Sequence, residues 1–144
     1  MALFARKPEL PADRHDAWWA FLDCAEVIEG GRRLLLGTLP TGRVEPAPIG
    51  VGLDALGRAL DDAEAWMPRW RIEGLEPDWD DCAAAIAESR GAFDEVREVA
   101  ASTGELEELL EAVGDVVAPL DAFADAEREW RRRYRVPRDR PAGA

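Results

Sequence analysis

The sequence predicts an all-α fold, an antiparallel up-down-up-down four-helix bundle, on three observations. Apolar residues recur at alternating steps of three and four along most of the chain, Gly and Pro gather between those runs, and two of the three connections are short. Short connections force antiparallel neighbours, and runs of roughly 20–33 residues make rods of about 30–50 Å that suit one bundle. The helices are expected at 13–38, 52–72, 78–101 and 103–135 of a single domain spanning 1–144, with 1–11 and 136–144 as flexible tails.

Asp13 stands ahead of the first run as an N-cap, and Asp16 supplies a first-turn acid. The stripe that follows is Ala17, Phe21, Cys24, Ile28, Gly31 and Leu35. Gly30-Gly31 allow either a helix that continues to about Leu39 or a hairpin around Pro40-Thr41-Gly42. The helix is favoured, because a lone two-stranded hairpin has little to pack on. Pro40, Pro46, Pro48, Gly50 and Gly52 then read as a loop over 40–51.

Leu53, Leu56, Leu60, Ala63, Met67 and Trp70 form the second stripe. The third is Trp79, Cys82, Ile86, Ser89, Phe93, Val96 and Ala100, set off by Gly74 and Pro77. Ser102 with Glu105 is expected to make a capping box opening the fourth helix. Its stripe is Leu106, Leu109, Val113, Val116, Leu120 and Phe123, interrupted at Glu127 and resumed at Trp130 and Tyr134. Pro68 and Pro119 fall inside these patterns and predict kinks, since each removes a helical hydrogen bond while the apolar register continues past it.

Composition narrows the functions. At 144 residues and a formal charge of −12 the chain is long enough for a real core and acidic enough to repel phosphate backbones and anionic lipid, so neither nucleic acid nor membrane is expected as a partner. No apolar run approaches the ~20 residues of a membrane span, and the first residues lack the apolar core of a secretory signal, so a cytoplasmic location is expected. Cys24 and Cys82 fit no zinc spacing and read as buried packing residues without a bond. His15 is the one imidazole, which excludes metal sites needing several histidines, and no metal or cofactor is expected.

The charge is uneven. Residues 128–140 carry seven of the 18 basic groups against two acids, a local +5 that leaves −17 elsewhere. Up-and-down order brings that basic run to the same pole as every tryptophan: Trp18 and Trp19 begin the first helix, Trp66 and Trp70 end the second, Trp79 begins the third, and Trp130 and Tyr134 end the fourth. Large rings fill splayed helix ends, and arginines suit a helix C-terminus, so packing accounts for part of this pole. Trp19 is the exception, because it faces outward if Phe21 and Ile28 face inward. Tryptophan interleaved with arginine is the composition of an interface hot spot. The expected function is therefore a non-catalytic interaction protein contacting another protein or a second copy through Trp18, Trp19, Trp66, Trp70, Trp130, Arg131, Arg132, Arg133, Tyr134 and His15. The alternative is a small-ligand site, with the tryptophans lining a pocket and arginines at its mouth.

One enzyme reading competes with these. Asp94, Glu95 and Glu98 are followed by Glu111-Ala112-Val113-Gly114-Asp115-Val116-Val117. The pattern resembles the MazG-type nucleotide pyrophosphohydrolases, and the resemblance implies helix-borne carboxylates that hold magnesium against the substrate's phosphates. Ala112 stands where the family's second motif has glutamate, and all five acids fall off the core stripe. Acidic runs so placed are normally solvated helix faces.

Overall fold

The structure is a computed structural model and describes residues 6–102 and 105–142. It is an all-α four-helix bundle in which three of the four arms are jointed. The first arm is α1, His15–Gly37, entered through a 3-10 turn at Ala12–Arg14. The second is α2, Pro46–Trp66, extended by the 3-10 turn Met67–Trp70. The third comprises α3, Glu76–Gly91, and α4, Phe93–Ala101. The fourth comprises α5, Leu106–Val117, the turn Ala118–Leu120, and α6, Asp121–Arg133.

Contacts between arms run in opposite senses along the chain. Phe21 meets Trp70, Gly31 meets Leu56 and Ala59, and Gly52 meets Leu35 and Thr38, so α1 and α2 are antiparallel. Arg90 pairs with Asp61 and Arg97 with Asp54, which reverses the third arm against the second. Arg133 reaches Gly74 while Cys82 reaches Ala122, and Trp18 meets Trp130 while Arg32 pairs with Asp121, so the fourth arm opposes both the third and the first. The alternating order is up-down-up-down.

The predicted stripes are buried in α1 and α2, and α1 runs through Gly30-Gly31 without a break. Several boundaries differ for local reasons. Asp13 makes no side-chain cap and lies inside the 3-10 turn. α2 begins at Pro46, six residues ahead of the expected start, because Pro46 and Pro48 occupy the first turn, where a missing N–H costs nothing. Pro68 and Pro119 sit in 3-10 turns that keep the register. Ser102 closes α4 by donating to the Val99 carbonyl, and Glu105 makes no side-chain cap, so the expected capping box is absent. The expected helix start at 103 lies outside the described residues. The joint at Ala92 was not foreseen. There the Ala92 N–H bonds the Ser89 carbonyl at 3.2 Å, a 3-10-type tightening after Gly91.

Two glycines set how closely the first two arms approach. A Cβ on Gly31 would lie 2.8 Å from the Ala59 Cβ and 3.2 Å from the Leu56 Cα, and one on Gly52 would lie 3.0 Å from the Leu35 Cα. Gly52 is thus a helix-crossing residue and not the loop glycine its neighbours suggested. Gly30 has open space around it. Gly31→Ala is therefore expected to destabilise, overpacking of about 1–3 kcal/mol outweighing the ~1 kcal/mol that alanine gains in helix propensity. Gly30→Ala is expected to stabilise by up to ~1 kcal/mol. Urea melts of the two variants check this, and a common direction of change would contradict it.

Candidate binding cleft at the tryptophan pole

The sequence-predicted pole separates into a buried aromatic centre and an outer cleft. Trp18, Trp70 and Trp130 are fully buried around Phe21. Trp18 and Trp130 have ring centroids 5.4 Å apart, Phe21 meets Trp70 edge-on at 5.0 Å, and Phe21 stacks on Trp130 at 6.1 Å. Among the described residues no acceptor meets the buried indole N–H groups of these three tryptophans, so this centre is held by ring packing. Trp79 donates to the Met67 carbonyl at 2.9 Å beneath the Arg71 guanidinium, tying the second arm to the third, and Trp66 is half-buried.

His15 serves the chain's N-terminal segment. Its Nε2 lies 3.0 Å from the Leu10 carbonyl. A carbonyl only accepts, so Nε2 is the protonated nitrogen.

Most of the arginine run is engaged along its own helix. Arg128 pairs with Asp125, Arg131 with Glu127, and Arg132 and Arg133 both with Glu129. Arg133 also donates to the Gly74 carbonyl at 2.7 Å. Hydrogen bonds from Arg132, and then from Arg133, hold the Glu129 carboxyl down to about 2. Asp78, at the start of α3, is pushed upward by burial, with Arg133 opposing.

Trp19 corrects the sequence reading. It lies off the inward stripe as expected, yet it is only 7% exposed. The cover comes from the segments that flank the bundle. Beyond α6 the chain turns extended at Tyr134, and the Arg135 N–H donates to the Pro8 carbonyl at 2.7 Å. The Leu10 N–H donates to the Arg135 carbonyl at 3.0 Å, and Arg135 pairs with Glu9. Farther along, Arg140 grips both carboxylate oxygens of Asp23 at 2.7 and 2.8 Å, with its guanidinium 6.0 Å from the Trp19 ring. Asp23 is one turn from Trp19, so this strap crosses the face on which Trp19 lies. Residues 134–135, expected at the end of the fourth helix, and 6–10 and 136–140, expected within flexible tails, thereby form contacts with the bundle and with each other, while 1–5 and 143–144 lie outside the described residues.

Between strap and helix lies a cleft of about 710 Å³. Trp18, Trp19 and Leu22 line it from α1, and Tyr134, Val136 and Pro137 from the strap. Arg6, Lys7, Arg131, Arg135 and Arg138 supply its charge, and among the described residues its lining contains no carboxylate. The Arg131 guanidinium stands 5.1 Å from the Trp18 ring, and Lys7 donates to the Arg131 carbonyl at 2.8 Å. Arg6, Lys7, Arg135 and Arg138 were not among the expected contact residues. Their signal was available as basic residues in both flanking segments, but nothing in the helical period brings those segments together. Of the expected set, Trp18, Trp19, Arg131 and Tyr134 line the cleft. His15 lines a smaller hollow of about 390 Å³ with Arg6, Glu9 and Arg135. Trp70 and Trp130 lie in the core, and Trp66, Arg132 and Arg133 outside the cleft.

Elsewhere, Glu95 and Asp115 line a groove with Glu88, while Asp94, Glu98 and Glu111 are exposed. Among the described residues no group of three or more His, Cys, Asp or Glu is placed to hold a metal ion, and no helix is long and apolar enough to cross a membrane. No protein-family model, curated protein or solved structure matches this chain.

Cys24 and Cys82 are free and buried, donating to the Ala63 and Ala122 carbonyls. Burial pushes the Cys24 thiol up to about 11 and the Cys82 thiol up to about 12, with Asp78 and Asp81 adding to the rise at Cys82. Both are expected to resist iodoacetamide at pH 8 until urea unfolds the chain; rapid labelling of the native protein would contradict this. Glu129 predicts a pH dependence. Its folded pKa lies below the ordinary 4.5, so its stabilising contribution is present above that value and is lost as pH falls towards about 2. Glu129→Gln is expected to lower Tm at pH 7, with the gap to wild type closing below pH 4.5.

Proposed function

We propose that this chain is a non-catalytic binding protein that works through the tryptophan and arginine pole, taking an anionic ligand with an apolar body into the cleft over Trp18 and Trp19. One observation carries the reading: in a chain of net charge −12, five cationic side chains and, among the described residues, no carboxylate line a cleft floored by indole rings. Carboxylate or phosphate suits Arg135 and Arg138, and an aliphatic or aromatic body suits Trp19 and Leu22. A volume of about 710 Å³ falls among those of small-molecule sites, roughly 300–1,000 Å³.

The same chemistry admits a protein partner as a second reading, since the acidic remainder of another copy complements Arg135 and Arg138. The small ligand ranks first because the cleft is concave and of small-molecule size, with indole rings on its floor.

Titration with decanoate, decyl phosphate and decanol, followed by tryptophan fluorescence, tests the reading. Saturable binding of both anions is expected, weaker by about tenfold or more in the Arg135→Glu/Arg138→Glu double variant, because charge-assisted contacts are worth roughly 1.5–3 kcal/mol. Equal binding of decanol, or undiminished binding by the variant, would sink it. A doubled mass in light scattering that the same variant abolishes, with no anion binding, would transfer the site to the second copy.

A further inference from the structure

The cleft has one wall fixed by helices and one wall that is only strapped on. Trp18, Trp19, Leu22 and Arg131 stand on α1 and α6, whereas Val136, Pro137 and Arg138 belong to an irregular segment anchored at two points. The first anchor is the pairing of Arg135 with Pro8, Glu9 and Leu10. The second is the fork of Arg140 on Asp23, a bidentate contact between partly exposed side chains. Neither Asp23 nor Arg140 lines the cleft.

The geometry points to residues 134–140 as a latch that closes the cleft on its ligand, with Asp23 and Arg140 as the positioning pair that sets how firmly it closes. This rests on the cleft being a binding site. Releasing the second anchor uncovers Trp19 and carries Arg138 away from the indole floor, so the latched state presents one more cation to an anion and a closed apolar wall to its body. A ligand that binds that state alone shifts the population towards it, and its apparent affinity falls in proportion to the fraction latched. By linkage, the ligand must protect the strap to the degree that the strap improves binding. Asp23 and Arg140 therefore tune affinity without touching the ligand.

Trypsin reads the latch directly, because the Arg138–Asp139 bond lies between the two anchors. In the ligand-free full-length chain, Asp23→Asn and Arg140→Gln are expected to be cut there several-fold faster than wild type with an unchanged urea midpoint, and the charge swap Asp23→Arg/Arg140→Asp to restore slow cutting. Saturating decanoate is expected to slow cutting of wild type, and each single variant to bind decanoate about three- to tenfold more weakly. Equal cutting rates without decanoate would overturn the latch. Faster cutting with unchanged decanoate affinity would overturn its role in binding. If wild type binds no decanoate while the cutting rates still differ, the binding reading of the cleft has failed and the coupling falls with it.

Discussion

The packing of Phe21 against Trp18, Trp70 and Trp130 is the constraint from which the geometry of the tryptophan pole follows. These rings come from the first, second and fourth arms, and their centroid distances of 5.0–6.1 Å leave no space between them. Each ring buries on the order of 150–250 Å², enough to offset the indole N–H groups left without acceptors. Because Trp18 and Phe21 face this centre, the helical step turns Trp19 about 100° away from Trp18, towards the outside. A tryptophan so placed needs cover from beyond the bundle, and the strap supplies it. The cleft is the space that remains where strap and helix meet imperfectly.

Electrostatics divides the same pole into spent and presented charge. Three acids on α6, Asp125, Glu127 and Glu129, engage four arginines of the run, and exposed pairs of this kind contribute modestly to stability while holding side chains in place. The strap and the N-terminal segment contribute Arg6, Lys7, Arg135 and Arg138 to the lining of the cleft, of which Arg135 pairs with Glu9. The net +5 of residues 128–140 was a correct count of charge but not of charge available to a partner.

Helical periodicity made the fold legible, down to the residues buried in α1 and α2, because one stripe repeated at steps of three and four has one physical solution. Boundaries were less legible where a residue has two roles. Proline breaks a helix interior yet suits its first turn, which moved the start of α2 to Pro46; Ser102 opens helices as readily as it closes them, and here it closes α4. Of the residues that the sequence pattern gathers at one end, Trp18, Trp19, Arg131 and Tyr134 line the cleft. The sequence concealed the strap, since the Arg140–Asp23 and Arg135–Glu9 pairs join residues more than a hundred positions apart with no pattern to announce them.

The proposed entry of an anionic ligand over Trp19 can be followed through the indole N–H resonances of the six tryptophans in a two-dimensional NMR spectrum, assigned by single Trp→Phe variants, during a decanoate titration. The Trp19 resonance is expected to move furthest while those of Trp66 and Trp79, which do not line the cleft, stay in place. A stationary Trp19, or shifts led by Trp66 or Trp79, would contradict it.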